Sequence, residues 1–288
     1  MESDLIATTN TAKVPFFQVD AFTKEPFKGN PAAVCLMPCE LKDMLYQMIA
    51  KEMNLSETAF FEPLKESGNY KLRWFTPKRE VPLCGHATLA TAHILFNELG
   101  VKARTISFQT LSGVLLAEKV SEGICLDFPR NDPLEIEPPR TLLKALGLSR
   151  CKEILYSETN QKLLVCLDNQ EQVLELQPDF NALLSMENKL GWRGVIITSA
   201  GSGPYDFISR YFAPWMGVNE DPVTGSAHTV LAPYWMRQLG KRRMRAYQAS
   251  ERGGELLLEV VGDRIHITGE AVTVVRGELE YDTRILNG

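Results

Sequence analysis

Val81-Pro-Leu-Cys-Gly-His-Ala-Thr88 opens an apolar stretch that runs to Gly100, and Asp221-Pro-Val-Thr-Gly-Ser-Ala-His228 opens another that runs to Gly240. In each, a small residue is followed by Gly and then by a polar residue in the first turn of what reads as a helix. Such a helix mouth leaves backbone N–H groups free to face whatever lies in front of it. Spacing turns the likeness into a repeat. Gly85 to Gly100 is 15 residues and Gly225 to Gly240 is also 15, with Leu99-Gly100 matched by Leu239-Gly240. Upstream, Leu72-Arg-Trp-Phe-Thr-Pro77 matches Ser209-Arg-Tyr-Phe-Ala-Pro214, and downstream Phe108-Gln109 matches Tyr247-Gln248. The chain therefore reads as an internal duplication into two lobes, with a mouth from each and an anionic ligand between them.

Outward from the mouths, each half shows the same order. In the first, strands are expected over 14–22 and 32–37, an amphipathic helix from Leu41 to Asn54, and strands over 58–62 and 70–76. The buried helix of residues 87–99 follows, with Gly100 as its stop, and then strands near 104–110, 113–119 and 123–128. The second half offers strands near 153–156 and 162–167, an amphipathic helix around 179–188, strands near 194–199 and 205–212, and a hairpin-rich tail. Pro233 inside the second helix predicts a kink or a solvent-side bend, because it lacks an N–H. The fold class expected is α+β: two pseudo-symmetric lobes, each an antiparallel sheet wrapped around a central helix apolar on nearly every side. Residues 1–13 read as a frayed tail, 14–130 as the N-terminal lobe, 131–139 as a Pro-rich linker and 140–288 as the C-terminal lobe.

Composition narrows the partners. The 288 residues are 44% hydrophobic, enough for substantial cores, and 31 basic against 36 acidic residues give a formal charge of −5. Charges of both signs are intermixed, so there is no basic stripe for nucleic acid and no polybasic segment for a membrane. No apolar run reaches the roughly 20 residues of a membrane span. Six cysteines lack metal spacing, which predicts neither a disulfide framework nor a metal site. Residues 1–13 have no apolar signal-peptide core, and a cytoplasmic protein with a small-molecule partner is the expectation.

The halves are most informative where they differ. Cys84-Gly85-His86 stands against Thr224-Gly225-Ser226, so a symmetric pair of thiols is absent. The loop before the second mouth is three residues longer, Phe75 to Gly85 spanning 10 and Phe212 to Gly225 spanning 13. Glu57, in the loop Asn54–Thr58, has no acidic counterpart near Arg193-Gly194; it reads either as a helix-end carboxylate or as a lone acid/base. Asp221 reads as an Asx-turn or as a site residue. Cys84 reads as a small buried residue or as a thiolate favoured by the helix N-terminus. His86 and His228 are offset by two places and form no symmetric pair.

Five motifs carry a family resemblance: Phe27-Lys-Gly-Asn-Pro-Ala-Ala33, Asn54-Leu-Ser-Glu-Thr58, Arg73-Trp-Phe-Thr-Pro77, Cys84-Gly-His-Ala-Thr88 and Glu220-Asp-Pro-Val-Thr-Gly-Ser-Ala227. Together they resemble the phenazine-biosynthesis isomerase (PhzF-like) proteins, which share the diaminopimelate epimerase fold, over about Phe16 to Leu279. The resemblance implies that Glu57 is the catalytic acid/base, with His86, Asp221 and Ser226 around a carboxylate substrate; the helix mouths add Gly85 and Gly225, Asn30 is an auxiliary candidate, and Cys84, a further auxiliary candidate, departs from the family pattern. It also implies a homodimer, no cofactor and no metal. The expected activity is a proton shift on a small cyclic or unsaturated, amino- or hydroxy-substituted carboxylate. Two alternatives stand beside it: a non-catalytic ligand-binding or protein-interaction scaffold, and a single-thiol epimerase using Cys84. The thiol racemases of this fold use a cysteine from each lobe, and Thr224 occupies the second such place here.

Overall fold

The computed structural model describes residues 10–139 and 141–284. In the first repeat the chain forms β1 (Thr11–Ala21), β2 (Asn30–Leu36), α1 (Asp43–Met53), β3 (Glu57–Pro63), β4 (Asn69–Phe75) and β5 (Glu80–Val81). It continues through α2 (Gly85–His93), a π-helical turn Ile94–Glu98, β6 (Thr105–Thr110), β7 (Gly113–Val120) and β8 (Gly123–Pro129). The short β9 (Leu134–Glu135) and α3 (Leu142–Ala145) lead to the second repeat. That repeat begins with β10 (Glu153–Ser157), β11 (Lys162–Cys166), α4 (Gln170–Leu174), α5 (Phe180–Leu184), β12 (Gly194–Ala200), β13 (Phe207–Ala213) and β14 (Val218–Glu220). It ends with α6 (Gly225–Leu239), β15 (Arg243–Gln248), β16 (Gly254–Val261), β17 (Arg264–Gly269) and β18 (Ala271–Asp282).

Pairing repeats with the sequence. β2 lies parallel to β3 and β4 parallel to β6; β11 lies parallel to β12 and β13 parallel to β15. The sheets are thus mixed, which corrects the expectation of antiparallel sheets throughout. The physical reason is the intervening helix: a helical crossover returns the chain to the same end of the sheet, so the strands it joins run the same way. These strands are also buried on both faces. In β12, Ile196 faces the central core while Val195 and Ile197 face a second cluster covered by α3, α4 and α5. The helix expected around 179–188 is the short α5, and an unexpected short helix, α4, precedes it; each is begun by a side-chain cap, Asn169 on the Gln172 amide and Asp179 on the Ala182 amide.

Both central helices are enclosed in one core, where Leu89, Ile94 and Leu95 meet Val230, Leu231 and Trp235. Each helix ends as its sequence reads, at Gly100 with φ 66° and Gly240 with φ 68°, the left-handed conformation that glycine adopts without a Cβ clash. α6 runs unbroken through Pro233, which is buried and not at the solvent side as expected. Proline at this position frees the Thr229 carbonyl, and the Asn131 N–H donates to it at 3.2 Å. Matched bidentate pairs brace the strands before each mouth. Arg73 donates to Glu80 at 2.7 and 2.8 Å, and Arg210 to Glu220 at the same distances.

The lobes exchange strands. β8 and β17, the equivalent strands of the two repeats, pair antiparallel with each other. Beyond that join, β9 pairs with β10 and the long β18 pairs with β1, from Thr11 opposite Asp282 to Ala21 opposite Ala271. So β18 completes the first lobe's sheet although its place in the chain assigns it to the second, and residues 131–139 are a docked segment containing a strand. The tail expected over residues 1–13 ends sooner, since Thr11–Lys13 already belong to β1; residues 1–9 lie outside the described residues. Among the described residues no helix is long and apolar enough to cross a membrane.

Strand exchange makes the lobes interdependent. A chain ending at Glu270 should lose its cooperative thermal transition by circular dichroism, because β1 then has an unpaired edge. An undiminished transition would show that β18 is dispensable to the first lobe.

Candidate active site

The two helix mouths meet head on. A Cβ placed on Gly85 would stand 3.4 Å from Gly225 Cα, and one on Gly225 would stand 3.4 Å from Gly85 Cα. Glycine therefore serves first to let the helix ends approach each other. Both N-caps, Cys84 and Thr224, are extended and make no side-chain cap. Instead, a side chain one turn inside each helix holds the N-cap carbonyl: Thr88 Oγ1 donates to Cys84 O at 2.5 Å, and His228 Nδ1 lies 2.9 Å from Thr224 O. The first amides of each helix stay unbonded within it, and two positive helix ends point into one space.

Glu57 is the first residue of β3 and not a loop residue. Its Oε2 lies 3.4 Å from His86 Nε2, and a fifth of its side chain (20%) remains exposed. His86 Nε2 is also 3.3 Å from Ser56 Oγ, while Nδ1 is 3.5 Å from Cys84 Sγ. Burial pushes the imidazole down to about 3, so the ring is neutral at ordinary pH, with one donor and one acceptor nitrogen. Burial and the neighbouring Glu57 hold the Cys84 thiol well above its usual range. The thiol has a single proton, for which Glu57 and His86 Nδ1 compete, and the imidazole tautomer follows from which of them takes it. Burial first, and the field of Asp221 second, raise Glu57 to about 7, against hydrogen bonds from Ser56 and Cys84. The donor atoms of Glu57, Cys84 and His86 lie within 4.8 Å of one another, close enough to take a cation. The same three groups are also close enough to share a proton.

Asp221 is raised to about 6 by burial, opposed by hydrogen bonds from Thr224 and Asn30 and by the charge of Lys162. Asn30 Nδ2 donates to Asp221 Oδ1 and to Val223 O, each at 2.9 Å, and Thr224 Oγ1 donates to Asp221 Oδ2. Ser226 is the second residue of α6, and its carbonyl accepts from Asn160 Nδ2 at 3.0 Å. Glu57, Cys84 and His86 thus form one cluster, and Asp221 and Asn30 a second that reaches Glu57 electrostatically. His228 is fully buried against Phe207, one turn inside α6.

Sequence reasoning missed two side chains. Gln248 donates to Asp221 O at 2.7 Å and accepts from the Thr224 amide at 2.8 Å, which clamps the longer second loop; its repeat partner Gln109 is exposed. Lys162 is only 7% exposed and lies 4.9 Å from the Tyr211 ring centroid. A lysine opening an otherwise apolar strand, where the first repeat has Ala32, was the available signal. A wide groove of about 1020 Å³ lies elsewhere, lined in part by Lys24, Arg243, Arg245 and Glu255. Its charges pair with one another, as Arg245 with Glu255 and Arg243 with Glu122.

Comparison with known proteins shows what the chain as a whole is similar to. A family model described as phenazine biosynthesis-like protein matches residues 19–277. An uncharacterized isomerase of Halalkalibacterium halodurans is 49% identical over 92% of this chain and 98% of its own length. The human phenazine biosynthesis-like domain-containing protein is 47% identical over 93% of this chain and 99% of its own. The crystal structure of a PhzF family phenazine biosynthesis protein from Enterococcus faecalis superposes with a TM-score of 0.86 at 44% identity, covering 93% of this chain and 99% of that one.

Burial of Glu57 has a cost that depends on pH. The unfolded chain ionises it near 4.5 and the folded protein near 7, so the folded state holds the extra proton between those values. The contribution to stability is fully present below about 4.5 and is lost as pH rises through 7. Glu57→Gln should remove that loss and stabilise the protein by about 1–3 kcal/mol at pH 8, with little change at pH 4. Urea unfolding at the two pH values measures the difference, and an equal effect at both would overturn the raised ionisation.

Proposed function

Because the chain belongs to the phenazine biosynthesis-like protein family, we propose that it is an isomerase that needs no cofactor, with Glu57 as its acid/base. Glu57 takes a proton from a carbon of a small unsaturated, amino- or hydroxy-substituted carboxylate. The C–H electrons move into the adjoining π system, and the same carboxyl returns the proton to another carbon of the molecule. Atoms and charge balance without an oxidant or a second substrate. The observation that carries this reading is Glu57 itself, a carboxyl raised to about 7, 3.4 Å from His86 at the first of two abutting helix N-termini. A group that must both take and give a proton works best with its ionisation near the working pH.

The other roles follow from position. Amides after Gly85 and Gly225, with Ser226, hold the substrate carboxylate at the positive helix ends. His86, neutral and wedged between Cys84 and Glu57, orients the base and meets a substrate amino or hydroxyl group together with Asp221. A Cys84 thiolate base is the weaker reading, since burial and Glu57 oppose loss of its proton. A non-catalytic scaffold has no use for a carboxyl held near neutrality in an open cleft. The relatives named as isomerases support the same direction.

With a panel of cyclic unsaturated amino and hydroxy acids in D2O, at least one should gain carbon-bound deuterium by NMR and shift its double bond. Glu57→Gln should lower that rate by about 100-fold or more, in line with loss of a general base. Full activity in this variant sinks the assignment. For the intact enzyme, kcat/KM should rise with pH to a plateau above about 7, as Glu57 ionises. Dialysis against a chelator should leave turnover unchanged; a loss restored by added metal would overturn the cofactor-free mechanism.

A further inference from the structure

The duplication exposes a substitution that the proton shift leaves unused. In the first repeat Ala32 of β2 pairs with Glu57 of β3; in the second, Lys162 of β11 pairs with Gly194 of β12. Acid and small residue have become small residue and base. Alternation along β11 puts Lys162 on the same face as Leu164 and Cys166, which lie in the core around α6. Its ammonium is therefore carried toward the α6 side of the sheet. The space that a side chain at 194 would enter is taken by Tyr211, whose hydroxyl lies 2.3 Å from the position of such a Cβ. No second acid fits there.

Among the described residues the Lys162 ammonium makes no hydrogen bond and no ion pair within 4 Å; its contact is the Tyr211 ring at 4.9 Å. Arg193, just before Gly194, adds a second cation near it, also without an ion pair among the described residues. A buried ammonium that finds no carboxylate is expensive to hold unless something else supplies the negative charge. Burial pushes Lys162 down to about 8, with the more distant Asp221 opposing the shift and Arg193 adding to it. The cleft thus has an acidic corner at Glu57 on one repeat and a cationic corner at Lys162 on the other, with the helix mouths between.

We propose that Lys162 anchors a second anionic group of the substrate, so that the cleft selects small unsaturated dicarboxylates over monocarboxylates. This rests on the reading of the cleft as a carboxylate isomerase site. One carboxylate lies at the helix mouths, the other against Lys162, and the carbon between them is presented to Glu57.

Benzoate and its three dicarboxylate analogues, phthalate, isophthalate and terephthalate, are inert probes of this arrangement. Titration calorimetry on the full chain should show at least one dicarboxylate binding about tenfold or more tightly than benzoate, the advantage of an added charge pair in a partly buried site. Lys162→Met should abolish that preference while leaving benzoate affinity within about twofold, and Lys162→Arg should restore most of it. Melting curves of both variants establish that they are folded. Should Lys162→Met retain the preference, or the unmodified protein bind benzoate as well as every dicarboxylate, the anchor is wrong while the carboxylate cleft stands. Failure of all four probes to bind the unmodified protein overturns both readings.

Discussion

Two helix N-termini pressed together are an electrostatic burden. Each helix end carries roughly half a positive charge, and water that would screen the pair is displaced where Gly85 and Gly225 touch. The arrangement persists because it is imposed from outside: each helix is wrapped by its own sheet, and β8 pairing with β17 locks the two sheets in one orientation. Everything at the site answers to that imposed field. Asp221 and Glu57 lie within reach of the helix ends, yet both are too buried to ionise freely, raised to about 6 and about 7.

Symmetry supplies the place and asymmetry supplies the chemistry. The matched features, from the paired glycines to the twin Arg–Glu braces, hold backbone and strand register in common. The unmatched ones give the cleft a direction. Glu57 corresponds to Gly194 in the other repeat, Lys162 corresponds to Ala32, and the longer second loop places Asp221 where Gln248 can clamp it. A substrate bound between identical mouths would have two equivalent orientations. Under the proposed function, an acid on one repeat and a base on the other would favour one of those orientations.

The glycine spacing made the duplication legible, because a helix of set length between a small first residue and a left-handed stop leaves its mark at fixed positions. Glu57 and Asp221 stood out as departures between the aligned repeats, but the residues alone left their roles open, and only the resemblance assigned them. Strand direction was less legible. Leu163-Leu-Val-Cys166 has the continuous apolar run of a strand buried on both faces, yet composition alone does not say whether its neighbour runs parallel. Partners distant in the chain were not legible at all. Asn131 with Thr229, and β18 with β1, depend on tertiary closure, and no local pattern announces them. Lys162 was visible as a charge in an apolar strand, but its meaning came only with the missing acid beside it.

The pairing of β1 with β18 also sets an order of events at the ribosome. The strand emerging first must wait for the strand emerging last, with Lys13 and Glu278 separated by 265 positions. Until then the first lobe exists in the nascent chain with a long unpaired edge, the kind of surface that recruits other strands. Synthesis at a few residues per second makes that interval on the order of ten seconds or more. The same exchange that joins the two lobes in the finished protein leaves that edge of β1 open while the chain is growing.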